Sequence, residues 1–222
     1  MRRPGAPSLP YADRAAAGAA LAQALSAIDL PAPLLVLGLP RGGVAVAREV
    51  AAALHAPLDV LIVRKIALPH NPELAIGAAA SGGIVVWEEP AEPARDALRE
   101  PLRLDAVAEI ERRERRYRPG RPPLDLRGKT VILVDDGLAT GATMLAAVGC
   151  ARQAGAARII AAVPVGTPQA AARVRRAADR LVILQTPEEL FAVGQWYRRF
   201  EQLEDADVYR LLGLEPEAHA AP

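Results

Sequence analysis

The sequence predicts an α/β fold, a doubly wound and mainly parallel sheet, on three observations. Apolar runs of four or five residues alternate along the chain with helical stretches. The runs lack the alternating polarity of a half-exposed strand, so they read as strands buried on both faces, the habit of parallel sheets. Two of them end in glycine-rich segments that open helices, which is where an open α/β sheet binds its ligands.

Taken in order, Asp13 is placed to cap a helix running to about Ala27, with Leu21, Leu25 and Ile28 on one face. Leu34 to Leu37 is the first buried strand. The segment from Gly38 to Gly43 leads into a helix that turns Val44, Ala47, Val50, Ala51 and Leu54 inward. Val60 to Val63 reads as the next strand. Residues 67–83 carry prolines, glycines and an Asn-Pro step, and read as a long loop or excursion containing His70. Ile84 to Trp87 returns to strand. Residues 93–123 form a charged helical insertion closed by a stiff proline-rich linker. Strands follow at 131–134, 159–163 and 181–184, separated by a helix from about Thr143 and by one that starts at the cap-then-proline pair Thr167-Pro168. An irregular aromatic segment, 191–200, and a short helix near 207–212 complete a reading of 1–222 as one domain of ordinary length for this architecture.

Composition narrows the function classes. With 51% hydrophobic and 24% charged residues and a net charge of +1, nothing global points to nucleic acid or to a membrane surface. No apolar stretch has the roughly 18 residues a membrane span needs. The basic start, Met1-Arg2-Arg3, is better explained by an amphipathic first helix than by a signal peptide. The single cysteine, Cys150, excludes an internal disulfide and reads as a small buried hydrophobe in a helix. The expected location is the cytoplasm, and a homodimer is the assembly considered.

The chemistry concentrates at the two glycine-rich loops. Free backbone N–H groups at a helix start attract anions, and glycine lets a phosphate approach the chain closely. In the second loop Gly137, Leu138, Ala139, Thr140, Gly141, Ala142 and Thr143 are assigned to such a phosphate, the two threonines adding hydroxyl donors. The acidic pair before it, Asp135 and Asp136, would repel a bare phosphate. It should face hydrogen-bond donors such as ribose hydroxyls, or a Mg2+ ion. Carboxylates for a sugar followed by amides for its phosphate describe a ribose 5-phosphate site. Arg41 in the first loop can then neutralise a second anionic group. Neither G-x-x-x-x-G-K-[ST] nor G-x-G-x-x-G occurs. A phosphorelay receiver would need a downstream Asp and Lys, and the only lysines are Lys65 and Lys129.

Residues 131–143, VILVDDGLATGAT, resemble the signature with which type I phosphoribosyltransferases bind 5-phosphoribosyl-1-pyrophosphate, PRPP. The loop Pro40-Arg41-Gly42-Gly43 is similar to that family's pyrophosphate loop, which often contains an unusual cis peptide. Lys65 matches a basic position near the pyrophosphate. The stretches DRAAAG, VRKIALPHNPELAIGA and FAVGQWYRRF extend the resemblance to a bacterial subgroup over nearly the whole chain. It implies a Mg2+-dependent transferase that moves ribose 5-phosphate from PRPP to a nitrogen base. Asp135 and Asp136 would hold the ribose directly or through the metal shell, and Pro40, Arg41, Gly42, Gly43 and Lys65 the pyrophosphate. The catalytic set is then Asp135, Asp136 and Arg41. Residues 67–83 fall where the family has its mobile lid, and 185–212 where a small hood covers the base, with Trp196 and Tyr197 as stacking surfaces. In the hypoxanthine–guanine branch an Asp stands where this chain has Ala139, so the base stays unnamed. Two other readings stay open, a PRPP-sensing regulator on the same fold and a different enzyme acting on ribose phosphates. The run from Glu109 to Arg118, EIERRERRYR, is what a nucleic-acid-binding regulator would use, although such alternation more often makes a solvated, ion-paired helix face.

Overall fold

The computed structural model describes residues 10–68, 71–87 and 93–214, with backbone alone for 71–75 and 93–97. His70 lies outside the described residues. Five strands form a wholly parallel sheet. They are β1 (Leu34–Gly38), β2 (Leu58–Val60), β6 (Thr130–Val134), β7 (Arg158–Val165) and β8 (Arg180–Gln185), in the order β2-β1-β6-β7-β8.

Helices cover both faces, and the strands show why. Successive side chains of a strand point to opposite sides. Val131 and Leu133 therefore join Leu35, Leu37 and Val163 in a core under α4 (Ala142–Gln153) and α5 (Pro168–Ala177). Ile132 and Val134 join Val36 and Ile160 in a second core under α1 (Arg14–Ser26) and α2 (Gly42–Ala53). The caps are those the sequence predicts: Asp13 accepts from the Ala16 amide, and Thr167 from the Ala170 amide ahead of Pro168. Cys150 is buried in α4, where burial pushes its thiol up to about 12.

Two expectations need correction. The run from Val60 to Val63 is not one strand. Val60 ends β2 and Val63 begins β3 (Val63–Leu68), so the buried pair Leu61 and Ile62 is where the chain leaves the parallel sheet. The second concerns 67–83, which is mostly strand rather than loop. β4 (Asn71–Ala80) pairs antiparallel with β3 on one side and with β5 (Ile84–Trp87) on the other. A Cβ on Gly77 would stand 2.6 Å from the Val86 carbonyl and 2.8 Å from the Trp87 ring, so glycine there is a packing requirement rather than a loop signal. Ile76, Ala78, Ala79, Ala80 and Ser81 are buried, which makes the second half of the expected lid part of the core.

The small sheet rests on the inserted helix α3 (Pro93–Tyr117) and on the terminal helix α6 (Asp205–Leu211), through Ile66, Ala106, Ile110, Tyr117 and Val208. The solvated face expected at the end of α3 is only half right. Glu109 does pair with Arg112 and Arg113 on the surface. Tyr117 and Arg118, however, are buried anchors, with Arg118 bridging to Asp59 at 3.0 Å.

Candidate active site at the ends of the first and sixth strands

β1 and β6 are neighbours in register, with Gly38 opposite Val134, so the loops that follow them emerge side by side. They touch. The Leu39 amide donates to the Val134 carbonyl at 2.9 Å. A Cβ on Gly43 would lie 2.5 Å from that carbonyl oxygen and 2.8 Å from Asp135 Cα. One on Gly42 would lie 1.9 Å from Asp136 Oδ2. Both glycines are therefore demanded by the close approach of one loop to the acidic pair of the other. The Pro40–Arg41 peptide is cis, as the resemblance implies.

Asp135 and Asp136 sit half-buried at the mouth of the sheet and are not equivalent. Arg14, the first residue of α1, donates from Nε to Asp136 Oδ2 at 2.9 Å, with the Asp136 side chain 16% exposed. Asp135 Oδ1 accepts the Asp136 amide at 2.9 Å, and among the described residues no cation pairs with it. Burial, and then the neighbouring Asp136 carboxylate, push the Asp135 carboxyl well above the usual carboxylate range. Burial raises Asp136 too, while Arg14 opposes the rise. Two such carboxyls favour donors or a cation in front of them. No group of three or more metal-ligating side chains occurs among the described residues. A divalent ion held here would take one or two carboxylates and complete its shell with ligand oxygens, the usual manner of Mg2+.

Beyond the pair the second loop opens. Ala139, Thr140, Ala142 and Thr143 are exposed. Gly141 takes φ +76°, a left-handed conformation that turns the chain into α4. Nothing in the protein accepts from the amides of Ala139, Thr140 and Gly141 among the described residues. Leu138 is a correction. It is buried, and its amide donates to the Val165 carbonyl at 2.9 Å while its carbonyl accepts from Thr167 at 3.0 Å. Stitched to the end of β7 in this way, it positions the loop and has no donor left for a phosphate.

Three further side chains depart from the sequence reading. Lys65, in β3, is exposed and lines a cleft with Ala142 and Thr143 at the start of α4, not with Pro40 to Gly43. Its side chain thus stands beside the start of α4 rather than beside the first loop. Tyr197 is 5% exposed and packs between Tyr11 and Phe200, with ring centroids 5.7 and 4.9 Å away. Its hydroxyl donates to the Asp136 carbonyl at 2.6 Å, so it braces the acidic loop and has no free face to stack on a base. Arg41, placed by sequence against the pyrophosphate, holds its guanidinium 3.8 Å from both Glu204 and Asp205. Trp196, in the short helix Val193–Trp196, is half-buried and keeps its candidacy.

The residues that sequence reasoning missed form a clasp. Arg14 donates to the Glu201 carbonyl at 2.8 Å as well as to Asp136, and its guanidinium lies 3.8 Å from the centre of the Phe200 ring. Tyr11 bridges to Tyr197 in parallel. Val193 lies so close to Gly137 that a Cβ there would meet Val193 Cγ1 at 2.5 Å. The segment around 193–201 thus sits directly on the second loop.

Comparison with known proteins agrees with this architecture. The phosphoribosyl transferase domain matches residues 12–195. Two Mycobacterium tuberculosis proteins, from strains CDC 1551 and H37Rv and both named "Putative phosphoribosyl transferase", are 45% identical over 207 residues, or 91% of this chain. The chain spans 46% of their length, about half. The crystal structure of TT1426 from Thermus thermophilus superposes with a TM-score of 0.82 at 42% identity, covering 91% of this chain and 97% of that one. With that domain spanning both glycine-rich loops and the whole parallel sheet, the chain belongs to the phosphoribosyl transferase domain family.

Proposed function

We propose that this chain transfers the 5-phosphoribosyl group of PRPP to a nitrogen base and releases pyrophosphate, with Mg2+ bound. One observation supports this above the others: Gly42 and Gly43 are seated on Asp136 and Asp135. A loop suited to one anion and a carboxylate pair suited to a sugar are thereby fixed edge to edge.

In this reading the amides of Ala139, Thr140 and Gly141, the first turn of α4 and the hydroxyls of Thr140 and Thr143 hold the 5-phosphate. Each charge-assisted hydrogen bond contributes roughly 1.5–3 kcal/mol, so a few suffice. Lys65 adds a charge from the cleft it shares with Thr143. Asp135 accepts from the ribose hydroxyls, and Asp136, held by Arg14, keeps the pair aligned. The C1–oxygen bond to pyrophosphate breaks and its electron pair departs on that oxygen. A lone pair on the base nitrogen forms the new bond to C1, and the nitrogen's proton passes to water or to the departing pyrophosphate. Positive charge builds at C1, so the protein contributes mainly positioning and electrostatics. Asp135 is the residue that fits a bound Mg2+, which neutralises charge on the pyrophosphate. The base lies against the segment bearing Trp196. A cytoplasmic location belongs to the same reading.

The test is pyrophosphate release from PRPP and Mg2+ with a panel of purines, pyrimidines and small nitrogen heterocycles. Release with one acceptor, lost in Asp135→Asn, is expected. Tight PRPP binding without base-dependent release from any acceptor would replace the transferase with a PRPP-sensing regulator.

A further inference from the structure

The Pro40-Arg41-Gly42-Gly43 loop has two sides. Gly42 and Gly43 meet the acidic pair, whereas Pro40 and Arg41 line a cavity of about 420 Å3. The rest of its wall is Arg112, Arg113, Arg116 and Tyr117 from α3, and Asp205 from α6. No residue of the second loop reaches it. Its size falls within the range of about 300–1,000 Å3 usual for small-molecule sites.

The charges around this basin are incompletely answered. Asp205 is shared by Arg116 at 2.8 Å, by Arg41 at 3.8 Å and by the Tyr117 hydroxyl. Arg112 and Arg113 share the single carboxylate of Glu109, and Arg113 engages it through Nε alone. At 3.8 Å Arg41 pairs with Glu204 and Asp205 but hydrogen-bonds to neither. Four guanidiniums therefore face three carboxylates. The Nη groups of Arg113 and every N–H of Arg41 lack an acceptor among the described residues. Guanidinium forks left in this state match phosphate oxygens in geometry and charge. The cationic groups come from two separate elements, the loop after β1 and the inserted helix α3. A lone helical charge run gives no such enclosure.

We propose that this basin binds the polyphosphate of a second, phosphorylated small molecule distinct from PRPP. Arg112, Arg113 and Arg116 of the helical insertion form the seat, and Arg41 is the residue shared with the loop beside the acidic pair. Drawing Arg41 away from Glu204 and Asp205 ties occupancy of the basin to the neighbouring site. The proposal rests on the reading above only for the identity of that neighbour.

Inorganic tripolyphosphate serves as the probe, titrated calorimetrically into the full chain without Mg2+, alongside ribose 5-phosphate and PRPP. Wild-type protein should bind tripolyphosphate. The double variant Arg112→Gln/Arg113→Gln should weaken it at least tenfold, with a shallower salt dependence, while ribose 5-phosphate affinity stays within twofold. Both arginines are surface residues on α3, and an unchanged circular dichroism spectrum checks the fold. Absence of binding, or equal affinity in the double variant, overturns the proposal. PRPP affinity falling as far as tripolyphosphate affinity would also overturn it, by making the basin PRPP's own pyrophosphate seat. A single-stranded oligonucleotide binding more tightly than tripolyphosphate, through the same two arginines, would replace the small molecule with nucleic acid. Ribose 5-phosphate failing to bind would sink the transferase reading and leave the basin standing.

Discussion

The two glycine-rich loops look alike in sequence and are built on opposite principles. In the first, glycine is needed because there is no room: the Cβ positions of Gly42 and Gly43 fall on Asp136 and on the Val134 carbonyl. In the second, Gly141 meets no such overlap, although a Cβ there would sit 3.3 Å from Ala170 Cβ, closer than ordinary contact. It is needed for a left-handed turn that leaves the amides before it unpartnered. The first loop is packed against the acidic pair, whereas the second is packed only as far as Leu138 and opens beyond it. A packed loop fixes where the carboxylates stand, and an open one leaves backbone amides without an acceptor among the described residues.

Gly42→Ala should do the most damage, because the added methyl collides with an ion-paired carboxylate that the loop's backbone cannot avoid. A cost of about 3 kcal/mol is expected, at the upper end for overpacking. Chemical denaturation should show it together with loss of PRPP binding. A variant with wild-type stability would mean that the two loops are not wedged.

Asp135→Asn comes next and should act in two directions. PRPP affinity should fall about thirtyfold, equivalent to roughly 2 kcal/mol. The unliganded protein should instead gain about 1 kcal/mol above the folded-state pKa, as strained functional sites often do when neutralised. The sign follows from the raised Asp135 carboxyl. A folded pKa above the unfolded one means that the native state binds more protons in between, so stability is greatest below the unfolded value and declines as pH climbs through the folded one. Thermal melts of wild type and variant should therefore converge on acidification and diverge towards neutral pH. Parallel curves would remove Asp135 as the titrating group.

Much of this was legible without coordinates, for reasons that differ by element. Buried parallel strands announce themselves as apolar runs, and Asp13 and Thr167 as caps, because those signals are local. The course of the loop from Asp135 to Thr143, out of β6 and into α4 at Gly141, was equally readable because it is set by consecutive residues. What escaped was decided at a distance. Arg14 meets Asp136 across 122 positions, and nothing in DRAAAG marks it as a partner of an acidic loop. Tyr197 looked like a stacking surface because aromatic content is visible in sequence, whereas the burial that removes its free face is not. Prolines and glycines in 67–83 suggested a loop. The sheet prevailed because Gly77 lies under the Trp87 ring and small alanines let β4 close on the core.

Smaller effects sharpen the contrast. Gly141→Ala should cost about 1–2 kcal/mol, the penalty for a side chain in the left-handed region. It should weaken ribose 5-phosphate binding more than tripolyphosphate binding. Equal losses for both ligands would mean that the two loops bind as one unit. Tyr197→Phe should be mildest, near 1 kcal/mol for one hydrogen bond to the Asp136 carbonyl. PRPP affinity should drop by less than tenfold, with the aromatic cluster kept. A hundredfold drop would make the hydroxyl part of the binding machinery.

The clasp made by Arg14 has a consequence for how the molecule comes into being. Its partners are Asp136, the Glu201 carbonyl and the Phe200 ring, so the contact order of the site far exceeds that of the sheet's neighbouring strand–helix units. Closing such long loops is entropically late, and it follows rather than nucleates the parallel sheet. During synthesis the five strands can all be in place by Gln185, with Arg14 and Asp136 both made, while the Tyr197 hydroxyl, the Phe200 ring and the Glu201 carbonyl that hold them from outside are still missing. Only when residues 197–201 lie across Tyr11 and Arg14 is the pair locked. A chain cut after β8 should keep its sheet yet lose the site, with the boundary between folding and function falling within about fifteen residues of sequence.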